Sequence, residues 1–171
     1  MKTLLASIFI LASVLIVSCG GIKHKDYTMG KDGLFYKYGS HKLYAGTITD
    51  TVDVIVQFSV IWGKKNGEFI THYPNGQLEK FGFIRNNLNE GEWKYYYPNG
   101  ILESKGVFNN SIANGRWIYF YSNGIIKAEG DFENNANEGK WIYYNEDGTI
   151  KNIEYFHDGN LLEVQAKERI I

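Results

Sequence analysis

The chain has 171 residues, with 18 Lys and Arg against 19 Asp and Glu, a formal charge of -1. That balance leaves no basic excess to neutralise phosphates, so nucleic acid is excluded as the expected partner. Thirteen Tyr, ten Phe and four Trp beside 19 Gly and only two Pro fit many short strands joined by tight turns, and one Cys rules out an intramolecular disulfide framework.

The chain opens Met1-Lys2-Thr3 and continues as an apolar and small-residue run from Leu4 to Val17. A short positive start followed by an apolar core reads as a secretory signal peptide over residues 1–18. The run is short for a spanning helix, which needs about 20 apolar residues. It ends Ile16-Val17-Ser18-Cys19, then Gly20-Gly21. These residues resemble the lipobox of bacterial lipoproteins: an aliphatic residue three before the cysteine, a small residue before it, and Cys19 at the cleavage point. The resemblance implies a diacylglycerol on the Cys19 sulfur, with no other cofactor, and acyl chains such as palmitate holding the protein to a membrane. It places the protein in the bacterial cell envelope. Gly20, where an inner-membrane retention signal has Asp, favours the outer membrane of a Gram-negative host.

Residues 19–32 read as the lipidated cysteine and a polar tether. Residues 33–66 read as irregular N-terminal hairpins. Leu34 to Tyr38 is expected as a strand, with Gly39-Ser40-His41 as a turn and Lys42 onward returning. A second strand is expected from Thr47, a turn near Asp50, and a long strand from Val52 to Trp62. Val54, Val56, Phe58 and Val60 alternate with the partly polar Ile55, Gln57, Ser59 and Ile61, so one face is expected to be buried.

From residue 67 the chain repeats in steps of 24. Gly67, Gly91, Gly115 and Gly139 form one series, and Gly76, Gly100, Gly124 and Gly148 a second. Gly82, Gly106 and Gly130 form a third, which lapses at Glu154. Phe69, Trp93, Trp117 and Trp141 follow the first series by two residues. A fixed period over several units marks a repeat protein. In each unit, alternating aromatics such as Trp93, Tyr95 and Tyr97 predict a strand. Asn99-Gly100 and its equivalents predict a type I′ hairpin turn, and Ile101 to Phe108 predicts the return strand. A glycine inside that strand predicts a ring from the neighbouring strand lying over it. Asn109 to Asn114 is expected as the loop to the next unit. The fold class is therefore all-β: an elongated antiparallel meander of stacked β-hairpins over residues 67–162. Asn160-Leu161-Leu162 is expected to add a closing strand, with residues 163–171 as a C-terminal tail that extends that strand, forms a short helix or frays.

The units GEWKYYYPNGIL, GRWIYFYSNGII and GKWIYYNEDGTI resemble the MORN repeat family in its bacterial variant. GEFITHYPNGQL departs by carrying Phe69 for Trp and Thr71 for Tyr. Bacterial proteins of this kind are often named as antitoxins of the YwqK type, and other MORN arrays are scaffolds for protein or lipid contact. The resemblance thus implies a protein partner, with a toxin as the alternative.

The residues themselves offer no catalytic set. His24, His41, His72 and His157 lack metal-ligand spacing, and Cys19 is consumed by the lipid. No nucleophile elbow or phosphate-cradling loop is present. Glu90 and Glu138 precede repeat glycines as loop acids. The expectation is a non-enzymatic protein with no metal site. Tyr95, Tyr119 and Tyr143 form the candidate binding face, for a protein or for a glycan; the alternative is that they only pack the sheet. Solvent exposure of that row separates the two.

Overall fold

The computed structural model describes residues 26–51 and 55–166. The leader, Cys19, the first part of the tether, residues 52–54 and the last five residues lie outside them. The described residues form 13 strands: β1 (Tyr27–Met29), β2 (Phe35–Lys37), β3 (Gly46–Thr51), β4 (Ile55–Ile61), β5 (Lys64–His72), β6 (Leu78–Arg85), β7 (Leu88–Tyr96), β8 (Leu102–Asn109), β9 (Ile112–Phe120), β10 (Ile126–Glu133), β11 (Ala136–Tyr144), β12 (Ile150–His157) and β13 (Asn160–Ala166). Strands β3 to β13 make one antiparallel sheet in which every strand pairs with its chain neighbours. Ten gaps at the usual strand spacing set about 48 Å from first strand to last. The all-β meander expected from the repeat is the observed fold.

Why the strands bury what they bury follows from the glycine series. A Cβ placed on Gly82, Gly106 or Gly130 would run into the ring of Trp93, Trp117 or Trp141 respectively. Each indole therefore lies flat over the glycine of the preceding strand, as the sequence predicted. The pairing slips at the same places, between Phe81 and Phe83, Lys105 and Val107, and Glu129 and Asp131. The three indoles are only 3–5% exposed. Trp93 and Trp141 also donate their indole N–H to the Phe83 and Asp131 carbonyls.

The turns differ from expectation in an instructive way. At Asn99-Gly100 only the glycine has positive φ, as at Gly76, Gly124 and Gly148. Tyr97 N–H donates to the Ile101 carbonyl and Gly100 N–H to the Tyr97 carbonyl. This is a three-residue loop closed by a left-handed glycine, not a two-residue type I′ turn. The side chain at the Asn position explains it: Asn75, Asn99, Asn123 and Asp147 each accept the N–H two residues on through Oδ1, and Pro74 or Pro98 only suits the position before it in two of the four turns. The tight turns lie between repeats instead, at Asn86-Asn87, Asn110-Ser111 and Asn134-Asn135, where both residues have positive φ. The expected loop Asn109–Asn114 is thus a two-residue turn, with Asn109 paired to Ile112.

Of the irregular N-terminal hairpins expected over 33–66, the second half is regular. Strands β3 and β4 continue the main sheet. Asp50 lies within β3, paired to Val56, and Thr51 pairs with Ile55, so the strand runs through the expected turn position. The next turn is Trp62-Gly63, both at positive φ, one 24-residue step before Asn86-Asn87. Lys64 already belongs to β5. The expected face of β4 is the buried one, with Phe58 and Val60 in a cluster with Phe35 and Ile48. The stretch 19–32 is not wholly a tether, because Tyr27–Met29 pairs with β2 as a short ribbon. The expected return strand after His41 is reduced to a bridge between Tyr36 and Leu43. At the other end β13 runs on to Ala166, so for residues 163–166 strand extension is the alternative observed.

The Trp-on-Gly contact makes a specific prediction. Gly106→Ala forces the Trp117 indole out of its seat and should destabilise the fold by about 1–3 kcal/mol, the usual cost of overpacking. Urea unfolding followed by tryptophan fluorescence measures it. A change below the experimental error would contradict the seating argument.

Candidate functional site

The aromatic face is one continuous row. Ring contacts run Tyr27–Phe35–Phe58–Phe69–Trp93–Tyr95–Trp117–Tyr119–Trp141–Tyr143, with successive centroids 5.7–6.5 Å apart. Phe108 and Phe132 pack edge-on between the indoles. Each such pair adds about 0.5–1.5 kcal/mol beyond the area it buries. The row is therefore the core of a sheet that has no second layer over its repeats among the described residues.

Tyr95, Tyr119 and Tyr143 are all half-buried. Tyr119 lies across from Ser104 on one side and Ala128 on the other. Those small residues are buried and make room for the phenol rings. Burial pushes the Tyr95 and Tyr119 hydroxyls above the usual phenol range. Burial, then the neighbouring Glu154 carboxylate, takes Tyr143 up to about 12. All three remain neutral donors at physiological pH. All three rings pack against neighbouring indoles and keep part of their surface exposed. Equivalent tyrosines lie two strands apart, about 9.5 Å.

A second row runs along the turns and was not read from the sequence. Tyr73, Tyr97 and Tyr121 donate their hydroxyls to the carbonyls of Tyr96, Phe120 and Tyr144, each at 2.7 Å. Asn75, Asn99 and Asn123 donate their amides to Pro98, Ser122 and Glu146 carbonyls. Each repeat thus clasps the turn of the next. The signal was present: Tyr and Asn recur at the 24-residue step until Asn145 and Asp147 replace them. A carboxylate cannot donate as an amide does, and no further clasp of this kind occurs among the described residues.

The histidines are dispersed. His72 takes the packing position of Tyr96, with Nδ1 buried and unpartnered. His157 does meet acids that the sequence left apart: its ligating nitrogen lies with Glu138 and Asp158 oxygens within 4.8 Å of one another. These groups bond each other. Glu138 accepts from the Asp158 N–H at 2.9 Å and contacts His157 Nδ1 at 3.1 Å. Glu90 accepts from Asn110 N–H in the same way. The cluster is a clasped turn.

Four stretches of the chain, residues 65–80, 89–110, 113–134 and 137–158, match the MORN repeat variant. The chain carries four MORN repeats of the variant type. No curated protein matches the chain. MORN repeats are typically modules of protein or membrane interaction and are generally non-catalytic. The match starts within β5, in the unit that carries Phe69 for Trp, so this repeat remains recognisable despite its departures.

The turn cluster can be tested by titration. The Asp158 amide, then His157, hold Glu138 below the usual carboxylate range, while Glu138 raises His157 above the usual imidazole value. Stability from raised His157 is present at low pH and is lost as pH rises through its folded pKa. Stability from lowered Glu138 is present at higher pH and is lost as pH falls through its folded pKa. The contact is therefore fully made only between those two values. NMR titration of Glu138→Gln should move the His157 pKa down; no movement would show that the pair is not formed in solution.

Proposed function

We propose that this protein is a non-enzymatic envelope lipoprotein whose MORN sheet binds a protein partner through its tyrosine row. The supporting observation is the half-exposed row itself. Tyr95, Tyr119 and Tyr143 recur at a fixed step on a sheet whose own hydrogen bonding already holds them in place. Rigid aromatic rings with a free edge are what protein interfaces favour as anchors. The proposed address rests on the leader and on Cys19, which is taken as the lipidated N-terminus. In an outer-membrane setting, the partner is another envelope protein.

Crosslinking from native membranes, followed by affinity capture of this chain, tests the reading. Wild type should capture a defined protein. Tyr119→Leu, which keeps apolar bulk but removes the ring contacts to Trp117 and Trp141, should lower Tm and, measured well below that Tm, weaken binding by about tenfold. Equal capture by the variant would sink the assignment of the row. Cys19→Ala should release the chain from the membrane fraction, and full retention would refute the lipid anchor. A captured partner that is toxic when expressed without this chain would turn the reading to the antitoxin or immunity alternative. Release of the chain by free oligosaccharide would turn it to glycan binding.

A further inference from the structure

Five turns recur at the 24-residue step, and their first residues are Trp62, Asn86, Asn110, Asn134 and Asp158, all at φ between 49° and 52°. Asn and Asp tolerate this left-handed conformation, whereas a bulky side chain there is strained. Trp62 is also 76% exposed, while the other three tryptophans are 3–5% exposed. The fold gains little from the largest side chain at this place, since its sister turns close with small polar residues. Strain and exposure together point to use outside the fold.

The surroundings say what kind of use. Gly63 backs against Leu43 and Leu34. Ile61 is 47% exposed, and Met29, which lies across from Phe35, is 66% exposed. Phe35 N–H in turn donates to the Gly63 carbonyl. Apolar groups therefore gather around the Trp62 turn, and Lys64 follows it directly.

Charge is divided along the chain. Residues 22–66 hold seven Lys and four Asp, a net +3, whereas residues 67–171 hold ten Lys and Arg and fifteen Asp and Glu, a net −5. The Trp62 end is also the end nearest the leader. The nine-residue step from Val17 to Asp26 can span at most about 30 Å.

We infer that the Trp62 turn seats in an anionic bilayer surface, so that the sheet stands with its N-terminal strands against the membrane. An indole beside lysines is suited to the boundary between headgroups and acyl chains. Basic groups near an anionic surface add attraction, and the acidic repeats are repelled from it. Tether and turn together give two points of contact, which fix orientation where a lipid alone would leave it free. The later strands, and with them Tyr119 and Tyr143, then face away from the bilayer. This inference rests on the proposed membrane address.

The test uses the full lipidated chain in vesicles of phosphatidylcholine and phosphatidylglycerol. Because the other tryptophans are buried, acrylamide reads Trp62 selectively. Its quenching should fall several-fold on vesicles relative to the Cys19→Ala chain in buffer, and brominated acyl chains should quench the same emission. Trp62→Asn should remove the brominated-lipid quenching, keep the chain on the vesicles and raise Tm, because Asn relieves the strained φ. A purely structural Trp62 would lower Tm instead, and that outcome overturns the inference. Co-flotation with Trp62 still open to acrylamide overturns it alone, as does protection that appears only on adding envelope proteins. Failure of the chain to float with vesicles overturns the anchor and this inference together.

Discussion

The structure depends on one contact, an indole laid over a glycine. A sheet with no covering layer must find its dry interior on its own surface. A ring lying flat across two strands does this, provided that the strand beneath has no side chain in the way. Glycine in a strand costs roughly 0.5–1 kcal/mol relative to alanine. Burying an indole removes on the order of 200 Å² from water, about 5 kcal/mol before its entropy is counted. The exchange favours the glycine wherever a tryptophan arrives on the next strand.

The ends of the array follow from the same contact. Phe58 stands 24 residues before Gly82, and it stacks on Phe69 at 6.1 Å. Glycine and tryptophan become two phenylalanines, so the pair is filled from both strands rather than from one. At the far end Glu154 replaces the glycine, and β13 brings Val164 opposite it. No indole comes from the next strand, so no glycine is needed. The turn clasps end in the same unit, at Asn145 and Asp147. Loss of the seat and loss of the clasp residues coincide in this unit.

These relations decide what was legible from the amino-acid order. The glycine and tryptophan series were readable because each contact falls at a constant chain separation of 11 residues. Turn chemistry was less so. Asn-Gly by itself favours a two-residue turn, but here the Asn side chain accepts the N–H two residues on and only the glycine turns left-handed. Trp62-Gly63 was half legible: Gly63 marked a turn like those between the later repeats, but a tryptophan stands where every other such turn begins with Asn or Asp, so Trp62 read as the end of the preceding strand. The tyrosine clasps were hidden for a different reason. Tyr97 seemed to extend the Trp93–Tyr95 alternation, and only the end of β7 at Tyr96 turns its hydroxyl to Phe120 of the next repeat. The clustering of Glu138, His157 and Asp158 depends on the hairpin register across β11 and β12, which no local pattern states.

A sheet built this way has a consequence for recognition. The indole positions are fixed by the glycine seat, so they cannot vary to suit a partner. The positions two residues on are freer. They read Thr71, Tyr95, Tyr119 and Tyr143, and their cross-strand partners on the following strand read Lys80, Ser104, Ala128 and Asn152. Thr71 is buried and donates to Glu79, while the three tyrosines are half-buried. The face therefore changes along the array, from a threonine paired with lysine at the first repeat to tyrosines beside small or polar residues at the later ones. A partner reading this surface would be placed by the departures from the repeat, while the repeat itself supplies only the spacing.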